Sequence, residues 1–253
     1  MGKRRPAALL ASAFALALLV VGTGSAEVSQ KRGVRVTVQG KLSPSRLPRD
    51  GSTPVAVSLS GQIGSYGSAS LPQLERMAIA INRAGRLDID GIPRCRIGRI
   101  DPSTTSEALA ACGSSLVGEG SFSADVRLPE QSPFPSVGKV LAFNGTLGGR
   151  PAILAHIYGT KPLPASYVLP FRLRRSKGTF GTKLEASFPR LTGEWGFVTG
   201  IYLKFNRSRF LRAGCPAPRG FNRALFPLIR TSFAFAGGVA LTNTLIRSCR
   251  AKG

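Results

Sequence analysis

Apolar and polar residues alternate with a period of two along most of this chain. That is the pattern of half-buried β-strands, because successive strand side chains point to opposite faces. Val34, Val36 and Val38 alternate with Arg35, Thr37 and Gln39, and Val55, Val57 and Leu59 with Ala56, Ser58 and Ser60. Met77, Ile79 and Ile81 share a face against Ala78 and Ala80. Phe122, Ala124, Val126 and Leu128 alternate with Ser123, Asp125 and Arg127. Two apolar runs, 139–147 and 152–158, flank Gly148-Gly149 and predict a hairpin.

The second half continues in the same style. Leu169, Phe171 and Leu173 oppose Pro170, Arg172 and Arg174. Proline has no N–H to give to a ladder, so this strand is expected at a sheet edge. A strand is expected over 182–188. Phe197, Thr199, Ile201, Leu203 and Phe205 are read as one face of the next, against Val198, Gly200, Tyr202 and Lys204. Ile229, Thr231, Phe233 and Phe235 form another face, and Gly237-Gly238 turns the chain into a last strand ending at Cys249.

One segment breaks the alternation. Thr104-Thr-Ser-Glu107 is a capping-box spacing, followed by helix formers Ala108 to Ala111 and a stop at Gly113. It predicts one short helix near residues 105–112. The whole reads as mainly β: an antiparallel β-sandwich of about ten to twelve strands. Residues 27–253 are expected to form a single β-sandwich domain. The alternative is a split near 160, at the Pro-containing stretch Lys161 to Pro164, into two smaller β domains.

The first residues carry a different pattern. Lys3, Arg4 and Arg5 precede an uncharged apolar run from Ala7 to Val21, then small residues including Gly24 and Ala26. A basic stretch, a short apolar run and small residues at −3 and −1 predict a secretory signal peptide over 1–26. The run is shorter than the roughly 20 residues a spanning helix needs, so no membrane span is expected after cleavage. Export agrees with the cysteines. Four of them, Cys95, Cys112, Cys215 and Cys249, allow three pairings, and the local one is favoured: Cys95–Cys112 and Cys215–Cys249. These would close loops of about 18 and about 35 residues, worth about 3 and just under about 4 kcal/mol in the chain-entropy account.

Charge changes the picture most. The 253 residues hold 35 Lys and Arg against 12 Asp and Glu, a net charge of +23. Loss of the leader leaves about +20, enough to attract polyanions. Cations beside aromatics occur at Arg172, Arg174, Arg175 and Lys177, and at Lys204, Arg207, Arg209 and Arg212. Arginine can hold phosphate or carboxylate bidentately, so these are the candidate polyanion-binding residues. A single-stranded nucleic-acid site wants exposed stacking rings, whereas Phe171 and Phe205 are expected to face inward. Nucleic acid therefore ranks below an acidic cell-wall polymer or glycan as partner.

Several segments, Thr104 to Cys112 running into Leu116 to Phe122, Lys139 to Thr146 into Arg150 to His156, Gly178 to Thr182, Gly196 to Gly200, Cys215-Pro-Ala-Pro and Arg247 to Arg250, carry a likeness. In them the chain resembles a group of secreted four-cysteine β proteins of high-GC soil actinobacteria. The resemblance implies export and the four-cysteine framework; it implies no activity and no functional residue.

Catalytic chemistry finds little footing. The one histidine, His156, sits in the apolar run 152–158. A Ser-His-Asp site needs an exposed imidazole beside a carboxylate, and no G-x-S-x-G elbow is present. Asp88 and Asp90 resemble the start of a calcium loop without its later ligands. Glu185 and Glu194, the latter beside Trp195, are the pair a glycosidase would need across a cleft. No cofactor or metal is expected, and the oligomeric state stays open. The reading is a secreted, extracellular, non-catalytic protein that binds acidic cell-surface polymer or glycan. A structural or partner-binding protein with incidental charge, and a secreted polysaccharide hydrolase, are the alternatives.

Overall fold

The computed structural model describes residues 26–190, 194–206 and 210–252. All but the last residue of the leader expected over 1–26 lies outside them. The described chain begins with strands β1 (Glu27–Lys31), β2 (Val34–Ser43), β3 (Arg46–Pro48), β4 (Thr53–Pro54) and β5 (Ala56–Ser65). β6 (Leu74–Asn82), β7 (Gly85–Leu87) and β8 (Cys95–Arg96) precede the helix α1 (Thr105–Cys112). Then come β9 (Leu116–Val126), β10 (Phe134–Leu147), β11 (Arg150–Gly159), β12 (Ala165–Arg175) and β13 (Phe180–Ser187). The last four are β14 (Gly196–Phe205), β15 (Leu211–Ala213), β16 (Arg223–Phe235) and β17 (Val239–Lys252).

Thirteen of these strands form one continuous sheet in the order β1-β2-β5-β14-β9-β10-β11-β12-β13-β6-β16-β17-β3, and β8 joins β10. Most pairs are antiparallel, but β10–β8 and β17–β3 are parallel. The expected ten-to-twelve-strand antiparallel sandwich is thereby corrected to a large, curled, mixed sheet. Alternation tells which face of each strand is apolar; it does not tell which strands pair. β6, from before residue 160, lies between β13 and β16 from after it.

The two ends of the sheet meet at a seam. The Asn243 side chain on β17 donates to the carbonyls of Glu27 on β1 (3.0 Å) and Val36 on β2 (3.4 Å). The Ser29 hydroxyl donates to its Oδ1 at 2.8 Å. Next to it the Arg247 guanidinium donates to Gly40 O at 2.9 Å. Partial burial lowers the pKa of that guanidinium, while Glu27 acts in the opposite direction. Gly40 permits the approach: a Cβ there would lie 2.7 Å from Leu245 and 2.8 Å from Leu59. Gly120 has a related role on β9, where a Cβ would collide with the Tyr202 carbonyl of β14.

Inside the curl lies one apolar core that includes Val36, Ile79, Phe122, Ile153, Phe171, Phe233 and Leu245. The small sheet β4-β15-β7 covers part of it. A second, smaller core lies on the opposite face of β10 and β11. There Leu141, Phe143 and Leu154 are covered by α1 and by the segment bearing Cys95, with Ile100, Ala108 and Cys112. This cap explains why β10 is buried on both faces from Val140 to Gly145.

Local details follow the sequence closely, with two corrections. Thr104 and Glu107 form the expected capping box. Gly148 and Gly149 take positive φ, 57° and 75°, in the β10–β11 hairpin. Cysteines pair as Cys95–Cys112 and Cys215–Cys249. The edge position inferred from Pro170 is wrong: β12 lies between β11 and β13. The ladder to β13 runs only from Arg172 to Arg175, so no β13 partner stands opposite Pro170 and its missing N–H costs nothing there. The single face assigned to Phe197–Phe205 is also corrected. A bulge between Val198 and Gly200 exchanges the faces, so Val198 and Leu203 are buried while Phe197 is half-buried beneath Arg127.

Candidate functional site

The bulge in β14 lies in the floor of an open concavity of the surface. Ser121 on β9, Tyr202 on β14, Ser60 on β5 and Gln39 on β2 stand opposite one another in a single cross-strand row. Ser123, Gly200, Gln62 and Thr37 form the adjacent row. Each alternates with core residues of its own strand, so both rows face outward. Small and polar side chains therefore floor a trough of about 600 Å³, bordered by Arg35. A smaller groove of about 260 Å³ shares Ser60 and Tyr202 with it and extends to Lys41 and Arg247.

The trough floor is short of bulk for a local reason. Ser123 Oγ occupies the place a Cβ of Gly200 would need, and Thr199 Oγ1 donates to it at 3.2 Å. Bulges re-aim side chains in this way. Tyr202, 41% exposed, rises as the only aromatic among the described residues that line the trough. Hydroxyls both donate and accept, and Gln62 adds an amide with both functions. The floor thus offers hydrogen-bond donors and acceptors together, with Arg35, Lys41 and Arg247 along its β2 side.

The cations singled out from the sequence are scattered. Arg172 and Arg174 point outward from β12, and Arg175 at its end and Lys177 just beyond it are exposed. That group holds a carboxylate at its centre: Glu185 receives Lys183 at 2.6 Å and Arg174 at 3.1 Å. The Lys183 hydrogen bond and nearby cations lower the Glu185 pKa despite partial desolvation. Lys204 lies on β14, opposite Ser58 and beside the trough. Three strands separate it from β12, and α1 caps the outer face of two of them. Arg212 on β15 donates to Ser52 O at 2.7 Å. Arg207 and Arg209 lie outside the described residues.

The residues weighed for catalysis are held in other roles. His156 is fully buried under the α1 cap, its Nε2 2.9 Å from Ser103 O and 3.2 Å from Ser103 Oγ. Glu194 pairs with Arg190, and Glu185 with Lys183 and Arg174. Asp90 reaches Arg94 at 4.0 Å. Among the described residues no three His, Cys, Asp or Glu side chains converge as a metal site.

Sequence reasoning missed the trough residues. Their signal was present as the polar half of each alternation, Ser121/Ser123, Ser58/Ser60/Gln62 and Thr37/Gln39. Nothing in that half says that the strands lie side by side. Fold and site together define a disulfide-stapled, curled β protein with an open polar trough on its outer face. No protein-family model, curated protein or solved structure matches this chain.

Proposed function

We propose that the chain is exported, loses a leader ending at Ala26, and acts outside the cell as a non-catalytic binding protein. Its ligand in this reading is a hydroxyl-rich chain polymer bearing acidic groups, such as a cell-wall polymer or glycan, lying along the trough. The observation that carries the proposal is the double row Ser121-Tyr202-Ser60-Gln39 and Ser123-Gly200-Gln62-Thr37. Strands are about 4.8 Å apart, so each row crosses roughly 15 Å of surface, room for several sugar rings. A sugar presents hydroxyls to Ser, Thr and Gln and a C–H face to the Tyr202 ring. Arg35, Lys41 and Arg247 on the β2 side of the trough suit uronate or phosphate groups.

Two further facts support the setting. Two disulfides are consistent with an oxidising compartment. The charge, +23 for the whole sequence and about +20 without the leader, favours acidic partners.

The test is titration of the oxidised protein against a uronate polymer, a phosphodiester polymer and a neutral glucan, at low and high salt. Acidic polymers are expected to bind and to weaken as salt rises. Tyr202→Ala with Gln62→Ala should reduce affinity at least about tenfold, or about 1.4 kcal/mol. Arg172→Glu with Arg174→Glu should change it far less. Equal losses from both pairs would reduce the effect to diffuse charge, and no binding at low salt would sink the proposal.

A further inference from the structure

Away from the trough, four cations gather where β3, β17 and β16 run side by side. Arg250 stands directly opposite Arg46 on one neighbour and Arg223 on the other. Lys252, two residues on, shares their outward face. With Asn222 they border an open groove of about 560 Å³. Like charges in direct cross-strand register are destabilising. No ion pair among the described residues includes any of the four.

Large apolar side chains stand exposed nearby, two of them on the same face. Leu225 is 79% exposed, two residues from Arg223 on the same face of β16. Ile246, opposite Pro227 on that face, is 49% exposed. Phe221, 66% exposed, precedes Arg223 by two residues. Its loop is fixed: the Arg49 guanidinium donates to the carbonyls of Ala217, Pro218 and Phe221 at 2.6–2.7 Å. A phosphodiester or uronate polymer in water would meet the arginines but gain nothing from exposed Leu and Phe. An anionic bilayer uses both: cations meet headgroup phosphates while apolar side chains enter the boundary below.

We propose that this face, Arg46, Arg223, Arg250 and Lys252 with Phe221 and Leu225, docks the protein peripherally on an anionic lipid bilayer. No helix among the described residues is long and apolar enough to cross a membrane. The inference is independent of the trough and of its polymer ligand.

Flotation of the oxidised protein with vesicles tests it. Vesicles of phosphatidylcholine alone should leave the protein unbound, and vesicles containing roughly one-third phosphatidylglycerol should carry it. Each cation near such a surface is worth roughly fivefold in partitioning. The triple change Arg46→Gln, Arg223→Gln, Arg250→Gln should therefore reduce binding roughly a hundredfold. Phe221→Ser with Leu225→Ser should also lower it at least about tenfold, and Tyr202→Ala should leave it intact. All these side chains are exposed, and an unchanged melting temperature verifies each fold. Failure to bind anionic vesicles would overturn the proposal, including failure alongside tight binding of soluble polyphosphate. So would full binding by the Phe221→Ser/Leu225→Ser variant, which would leave only nonspecific charge attraction.

Discussion

Asn243 shows how much one side chain can decide in this fold. It is buried on β17, and its amide joins β17 to β1 and β2 through three hydrogen bonds. Asn243→Ala removes the donor to two carbonyls and the acceptor of Ser29. A destabilisation of about 1–3 kcal/mol is expected in urea titrations with the disulfides intact. Nothing beside Asn243 in the sequence announces this, because Glu27 and Val36 are more than two hundred residues away. Glu107 is the opposite case, since its partner Thr104 is three residues away and the capping box can be read directly. The Thr104 backbone N–H, then its hydroxyl, lower the Glu107 pKa. A carboxyl with a depressed folded pKa contributes stability above its unfolded value, and loses it as pH falls through the folded one. Glu107→Gln keeps a capping side chain without that titration. The wild type should thus melt above the variant at pH 7, and the gap should close as pH falls below about 4.

At the scale of elements, alternation located most of the long strands, and its errors came from the ladders between them. Pro170 is tolerated in an interior strand because the β12–β13 ladder stops at Arg172. The bulge near Thr199 exchanges the faces of β14, and no spacing in Phe197–Phe205 marks it. That bulge also lies in the floor of the trough, so one unread irregularity hid both a strand face and the candidate site. The α1 cap gives an element-scale prediction. Cys95 and Cys112 are 17 residues apart and staple the cap to β10 and β11. Replacing both by alanine should cost about 3 kcal/mol in the chain-entropy account and loosen the cap before the sheet. The readout is clean because His156 is the one histidine of the chain and lies beneath that cap. Acylation of its imidazole should be slow in the oxidised protein and rapid in the Cys95→Ala/Cys112→Ala variant. Equal rates in the two would show that the helix holds without its disulfide.

For the whole molecule, the excess of cations was legible as a sum and illegible as a map. The clusters prominent in sequence, Arg172–Lys177 and Lys204–Arg212, are contiguous along the chain. Folding leaves the first at β12, puts Lys204 on β14 three strands away and Arg212 on the small sheet, and sets Glu185 against Arg174. The row that does form, Arg46–Arg250–Arg223, joins residues from both ends of the chain. By itself the sequence determined the strand-rich class, the short capped helix, the β10–β11 hairpin and the size of the charge. Each depends on residues a few positions apart or on a simple count. Only the tertiary structure decided the strand order, the seam at Asn243, the cap over His156, and which polar faces share a trough or cations a row. These depend on pairings between distant strands, where many arrangements satisfy the same alternation and packing selects one.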